Sequence, residues 1–240
     1  MLDNGVIRLS KNPYASPVLL VKQPDDTWKF CVDFRNLNIK IILDSYPILR
    51  TEDLLMYLGK AKYFASADLI SGYWKMVVYE KERLKNAFVT LSGIFEVNVV
   101  PYGLRTCQAS FQRMMDTILA GIKYRNAMVN VDDVIVYVEN FEEFCDALKD
   151  MFNRVRESNL MVKSSKCSFG YESVRALGYK VSEEGVKPCR KKLDAVLELE
   201  KPMTAKNLNA SQSYYKKFIE NYAQITFTLT RLLKKGNKFH

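Results

Sequence analysis

The chain has 240 residues, 48% of them hydrophobic and 26% charged, which accommodates one or two globular domains and excludes a disordered or collagen-like chain. No apolar run reaches the roughly 18 residues of a membrane-spanning helix, and Met1-Leu2-Asp3-Asn4-Gly5 lacks the basic-then-apolar pattern of a secretory leader. The five cysteines include no Cys-x-x-Cys and the single histidine is His240, so a reducing, cytoplasmic setting is expected, and Ser-His-Asp or His-ligated zinc chemistry is set aside.

The net charge is +9, and it is unevenly spread: residues 186–240 hold 12 basic and 4 acidic side chains, against 24 and 23 in the remainder. A basic module beside a neutral one fits either a polyanionic partner or a solvated lysine-rich helix face.

In chain order, residues 1–40 read as strands and turns. Val18-Leu19-Leu20-Val21-Lys22 is an apolar run between Pro17 and Pro24, Asp25-Asp26-Thr27 is a turn, and Trp28 to Phe34 resumes a strand pattern. Thr51 caps a short helix carrying Leu54, Leu55 and Leu58, closed by Gly59. Tyr63 to Leu69 is strand-like and carries a lone carboxylate, Asp68. After Thr106, the spacing of Phe111, Met114, Met115, Ile118 and Leu119 predicts a helix that Gly121 stops. Ala127 to Val138 is a β-branched run holding Asp132-Asp133. Asn140 caps a further helix through Phe144, Leu148, Phe152 and Val155. Beyond Pro188 the pattern is helical. The fold class is α+β, followed by a small basic helical module.

Met128-Val129-Asn130-Val131-Asp132-Asp133-Val134-Ile135-Val136-Tyr137 is the most informative segment. Its two halves predict a tight hairpin with the acids at its tip. Carboxylates among valines are costly without a compensating cation or hydrogen bonds. One reading is an ordinary acidic turn, although the glycine of favoured two-residue turns is missing. The other is that Asp68 and the hairpin acids share divalent ions for nucleotidyl transfer.

The chain resembles the reverse transcriptases of gypsy-type LTR retrotransposons and their retroviral relatives. The residues that carry the likeness are Tyr14-Ala15-Ser16-Pro17, Trp28 through Asn38, Asp68-Leu69-Ile70-Ser71-Gly72-Tyr73, Pro101-Tyr102-Gly103-Leu104, Ala109-Ser110-Phe111-Gln112, Val131-Asp132-Asp133, Lys166-Cys167, Leu177-Gly178-Tyr179 and Ser182 through Pro188. They run in the family's order over nearly the whole chain.

The resemblance implies a right-hand polymerase with partial fingers at 1–42, palm at 43–74, fingers at 75–106, palm at 107–185 and thumb at 186–240. It implies RNA- and DNA-directed DNA polymerisation with two Mg2+ ions, Mn2+ being a possible substitute. Asp68, Asp132 and Asp133 would hold the metals with the carbonyl of Leu69, and Lys166 would protonate the leaving pyrophosphate. Lys22, Lys29, Gly72, Tyr73 and Tyr102 would bind the incoming dNTP. Leu177, Gly178, Tyr179, Lys216 and Lys217 would hold primer and template. Partners would be a primed RNA or DNA template and dNTPs, with no membrane, and ribonuclease H and other Pol domains once joined to it.

Several positions depart from the family pattern. Asn130 stands where a tyrosine is usual, Lys29 where an arginine is usual, and Ala176 where an aromatic is usual. The segment between Leu208 and Tyr214 is about three residues short, nearly one helical turn. The alternative reading is therefore a retroelement-derived fragment, catalytically impaired, that only binds nucleic acid.

Overall fold

A computed structural model of the chain describes residues 1–23, 26–48, 57–58, 61–70, 72–176, 178–190, 194 and 219–227. The first elements are β1 (Ile7–Leu9), β2 (Val18–Lys22), β3 (Trp28–Val32), α1 (Arg35–Lys40) and β4 (Tyr63–Ile70). Next come α2 (Glu80–Arg83), β5 (Phe88–Thr90), β6 (Gly93–Val97), α3 (Cys107–Ile118), β7 (Ala127–Asn130) and β8 (Asp133–Val138). The chain continues through α4 (Phe141–Glu157), β9 (Met161–Val162), β10 (Ser168–Tyr171), β11 (Ser173–Ala176), β12 (Tyr179–Ser182) and β13 (Gly185–Pro188), and α5 (Tyr222–Ile225) follows. Helix and strand are mixed, as the α+β reading expects.

The central sheet runs β10-β4-β8-β7, with β9 pairing the far end of β4. Strands β4, β7 and β8 are packed on both faces, and the alternation of their side chains sorts them into two cores. Ala65, Ala67, Leu69, Val129, Val134 and Val136 face α3 and α4, meeting Phe111, Met115, Phe144 and Met151. Phe64, Met128, Ile135 and Tyr137 point the other way, onto Val174, Ala176 and Val181 of the antiparallel sheet β11-β12-β13. A sheet buried on both sides needs the near-continuous apolar strands seen in the sequence.

Both helices behind the sheet form as their spacing predicts. In α4 the side chain of Asn140 accepts the Glu143 N–H at 2.9 Å. Glu142 and Glu143 sit in its first turn and Arg154 and Arg156 in its last, each complementing the helix dipole. Its buried stripe is Phe144, Ala147, Met151 and Val155.

A second sheet, β1-β6-β5, joins the start of the chain to residues 88–97, and the hairpin β2-β3 packs on it through Val18, Val32 and Phe30. Glu96 is buried inside this layer. Arg8 Nε donates to it at 2.6 Å and Ser10 Oγ at 2.8 Å, so the carboxylate is compensated where it is desolvated.

Residues 35–40 correct the expectation of strands and turns only. Asp33 accepts the backbone N–H of Arg35 at 3.1 Å and grips its guanidinium at 2.7 Å, and this local Asx-type bond turns the chain into α1. Of the helix expected after Thr51, Tyr57 and Leu58 are described and helical. The shortened segment between Leu208 and Tyr214 lies outside the described residues, as does most of the basic module.

Candidate active site

The register of β4 against β8 sets Asp68 opposite Asp133. Strands β7 and β8 are joined by only two residues, Val131 and Asp132, with Asn130 and Asp133 paired across the turn. The hairpin of the sequence reading is therefore present, with Asp132 in the loop and Asp133 already in the strand. The Leu69 N–H donates to the Asp132 carbonyl at 3.0 Å and ties the loop to β4. In an extended strand the N–H and C=O of one residue share an edge, so the Leu69 carbonyl faces the acidic loop as well.

Strand β9 brings in the fourth member. The Lys163 N–H donates to the Asp68 carbonyl at 2.8 Å, and the 3-10 turn Ser164–Lys166 follows. The Lys166 ammonium then reaches Asp68 Oδ2 at 2.9 Å. Burial on its inner side pushes the Asp133 carboxyl above its ordinary range, and the charges of Asp132 and Asp68 push it further; Lys166 opposes the rise. Lys166 is itself held more firmly protonated, first by its hydrogen bond to Asp68.

This set of hard oxygen donors fits a divalent cation of the magnesium type. Carboxylates gathered this closely repel one another and favour positive charge between them, and the Lys166 ammonium on Asp68 supplies one cation directly. Among the described residues no three acidic, histidine or cysteine side chains close a finished metal shell; with Asp68 turned to Lys166, the ligands would have to rotate onto an ion.

An aromatic shelf adjoins the carboxylates. The 3-10 turn Gly72–Lys75 buries Tyr73, whose ring leans on Phe111 at 4.7 Å between centroids and meets Tyr102 edge-on at 4.9 Å. Burial raises the pKa of both hydroxyls, with Asp132 adding to the rise. Lys29 reaches over the Tyr102 ring at 5.1 Å from its centroid. The fold thus brings together Asp68, Asp132, Asp133 and Lys166, and beside them Gly72, Tyr73, Tyr102 and Lys29. Lys22 is not drawn into this group: it pairs with Asp26 at its own hairpin, at 2.6 Å.

On the other side of β4, a cleft of about 680 Å³ runs from Asp68, Asp133 and Lys166 to Arg175 and Lys180 of the β11–β12 hairpin. Gly178 lies in the turn of that hairpin at φ +81, a left-handed conformation that favours glycine. Tyr179 is buried beneath it rather than presented to the cleft. Leu177, Lys216 and Lys217 lie outside the described residues.

Sequence reasoning assigned no role to two groups. Arg175, Lys180 and Lys187 are register partners across three strands, an unfavourable row of like charge whose signal is the alternation of cations with buried Val174, Ala176, Val181 and Val186. The second is Gln112, 1% exposed on α3. It accepts the Val131 N–H at 2.8 Å and donates to the Val129 carbonyl at 3.1 Å. A glutamine on an otherwise apolar helix face is the signal that marks it.

The chain matches the family described as reverse transcriptase (RNA-dependent DNA polymerase) over residues 21–181. It is 35% identical over 246 residues to the retrovirus-related Pol polyprotein from transposon 297 of Drosophila melanogaster, covering 99% of this chain and 23% of that protein. The corresponding Pol polyprotein from transposon opus is 37% identical over 242 residues, with 98% and 24% covered. The transposon Tf2-3 polyprotein of Schizosaccharomyces pombe is 34% identical over 237 residues, with 98% and 18% covered. The chain therefore spans about a fifth to a quarter of the length of these relatives.

Among solved structures, the foamy viral protease-reverse transcriptase dRH in complex with double-stranded DNA aligns with a TM-score of 0.88 at 22% identity, over all of this chain and 43% of that one. The foamy viral protease-reverse transcriptase in complex with an RNA/DNA hybrid aligns at 0.81, over 33% of its length. The fold is that of a right-hand polymerase, and the chain belongs to the reverse transcriptase family, of the kind carried by LTR retrotransposon Pol polyproteins.

Proposed function

We propose that this chain is the polymerase core of an RNA- and DNA-directed DNA polymerase, transferring nucleotides from dNTPs to a primer 3′-OH. The observation that carries the reading is the register of β4 against β8, which sets Asp68 opposite Asp133 with Asp132 in the adjoining two-residue loop. Asp68, Asp132, Asp133 and the Leu69 carbonyl would hold two Mg2+ ions, or Mn2+ in their place. When bound, such a pair activates the attacking hydroxyl and offsets charge on the leaving oxygen in phosphoryl transfer.

The remaining roles fall to the chain's own groups. The Lys166 ammonium keeps a proton beside Asp68 and would deliver it to the departing pyrophosphate. Tyr73, fixed by Phe111 and Tyr102, crowds the position of a sugar 2′ substituent, so deoxynucleotides are favoured. Lys29, and Lys22 once it leaves Asp26, would take the triphosphate as compact point charges. Gly72 and Tyr102 complete the nucleotide pocket. Leu177, Gly178, Tyr179, Lys216 and Lys217 would hold primer and template, aided by the row of Arg175, Lys180 and Lys187.

Sheet membership supports part of the proposed domain division. The sheet β1-β6-β5 unites residues 1–42 with 75–106, which supports fingers, and the central sheet unites 43–74 with 107–185, which supports palm; residues 186–240 would form the thumb. No helix among the described residues is long and apolar enough to cross a membrane. Five free cysteines support a reducing, cytoplasmic setting. The relatives above are Pol polyproteins of which this chain spans a part, so other Pol domains are the expected companions, ribonuclease H among them by the family resemblance.

A second reading, a nucleic-acid-binding remnant without chemistry, is favoured by one observation: Asn130, the partner of Asp133 across the turn, replaces the usual tyrosine. Primer extension on an RNA template with Mg2+ separates the two. Extension by the wild type and none by Asp132→Asn/Asp133→Asn supports the polymerase. Extension surviving in the double variant refutes the metal assignment. No extension by either, with salt-sensitive duplex binding retained, supports the remnant.

A further inference from the structure

We infer that Gln112 is a positioning residue for the paired carboxylates, its carboxamide clamping the Val131-Asp132 loop in a backbone conformation that valine resists. The link to catalysis rests on the polymerase reading above; the clamp itself rests on geometry.

Val131 has φ +56. A β-branched residue in the left-handed region is a steric outlier, because its Cβ crowds the following carbonyl. A two-residue hairpin loop with positive φ at its first position ordinarily places glycine there. Val131 therefore holds this conformation only because its surroundings impose it.

What imposes it is a buried polar chain behind the loop. Gln112 Oε1 accepts the Val131 N–H at 2.8 Å, while Nε2 donates to the Val129 carbonyl at 3.1 Å and to Asp116 Oδ1 at 2.9 Å. Both amide protons are used, and each faces an acceptor. The amide cannot flip, because a flip would aim its oxygen at the Asp116 carboxylate and its NH2 at a backbone N–H.

Asp116 is fixed in turn. Its Oδ2 accepts the Tyr46 hydroxyl at 2.7 Å and pairs with the Lys123 ammonium at 2.5 Å. The chain Tyr46/Lys123 to Asp116 to Gln112 to Val131 thus ends one residue from Asp132. Without Gln112 the Val131 N–H and Val129 carbonyl lose their partner. Val131 then relaxes toward negative φ, and Asp132 turns away from Asp68.

The test compares wild type, Gln112→Met, Val131→Gly and the double variant, because glycine accepts φ +56 without a clamp. Three quantities are read: Mn2+ affinity by electron paramagnetic resonance, primer-extension kcat and dNTP KM, and Tm. Gln112→Met is expected to weaken Mn2+ binding by about 10-fold. It should lower kcat by roughly 100-fold and change KM by less than about twofold. The double variant is expected to regain at least about 10-fold of the Mn2+ and kcat losses relative to Gln112→Met.

Asp116→Asn retains Gln112 but frees its amide to turn, and gives the same loss in weaker form; it carries the test if Gln112→Met does not fold. Wild-type Mn2+ affinity and rate in Gln112→Met, or in Asp116→Asn where that variant carries the test, overturn the proposal. So does a double variant no better than Gln112→Met, which would reduce Gln112 to packing. If the wild type extends no primer while Mn2+ affinity still follows the clamp pattern, the clamp stands and the polymerase reading falls.

Discussion

Gly72 is the place where the site depends most directly on packing, and Gly72→Ala tests that dependence. A Cβ built there would lie 2.5 Å from Phe111 Cε2, about 1 Å inside the contact that carbon atoms tolerate. Phe111 is fully buried and shares its cluster with Met115, Tyr73 and the central strands, so its ring has nowhere to go without moving them. Overpacking of this kind costs about 1–3 kcal/mol. Alanine returns about 0.4–1 kcal/mol of that by restricting the unfolded chain. A net loss of roughly 1–2 kcal/mol corresponds to a Tm lowered by about 2–8 °C in a chain of this size.

Because Tyr73 leans on the same ring, KM for dNTP should rise in Gly72→Ala while the Mn2+ affinity of the carboxylates is unchanged. The measurement is thermal and urea unfolding of wild type, Gly72→Ala, Phe111→Leu and the double variant. The shorter leucine should relieve the clash, giving a coupling of about 1 kcal/mol in the double-mutant cycle. Gly72→Ala as stable as wild type, or strictly additive with Phe111→Leu, refutes the reasoning.

Lys166→Gln removes the cation held by Asp68; Mn2+ affinity should rise about two- to fivefold, a small gain because the ammonium is largely solvated, while the primer-extension rate falls. Equal affinity in titrations of the two proteins would show that Lys166 does not compete with the metal. At the other sheet, the Arg8 hydrogen bond holds the Glu80 carboxyl below its ordinary value of 4.5. That contribution to stability is complete above the ordinary value and is lost as pH falls through the depressed one. Glu80→Gln should therefore flatten the acid limb of a stability–pH profile recorded by urea unfolding, and an unchanged limb would count against the tie.

Local chemistry was enough to reveal much of this protein. The spacing of Phe111, Met115 and Leu119 and the cap at Asn140 announced two helices, because amphipathic period and capping are properties of a few adjacent residues. The hairpin around Asp132-Asp133 was legible for the same reason. The short helix at Arg35–Lys40 was not, since it starts from a side-chain bond of Asp33 that competes with the strand pattern running up to Phe34. The resemblance grouped Lys29, Tyr73 and Tyr102, but not their contacts: Lys29 and Tyr102 meet only because the hairpin β2-β3 packs beside the 72–102 segment.

The ordered run of motifs, with Asp68 on one strand and Asp132-Asp133 between two others, carried the family and singled out the carboxylates as the candidate site, since residue type and order along the chain suffice for both. Tertiary structure decided what those residues face. The β4–β8 register set Asp68 against Asp133, and the return of the chain through β9 put Lys166 on Asp68. The packing of α3 behind the hairpin aimed Gln112 at Val131. Such juxtapositions depend on strand register and helix docking, which are settled by the burial of two whole faces of the central sheet rather than by any one segment.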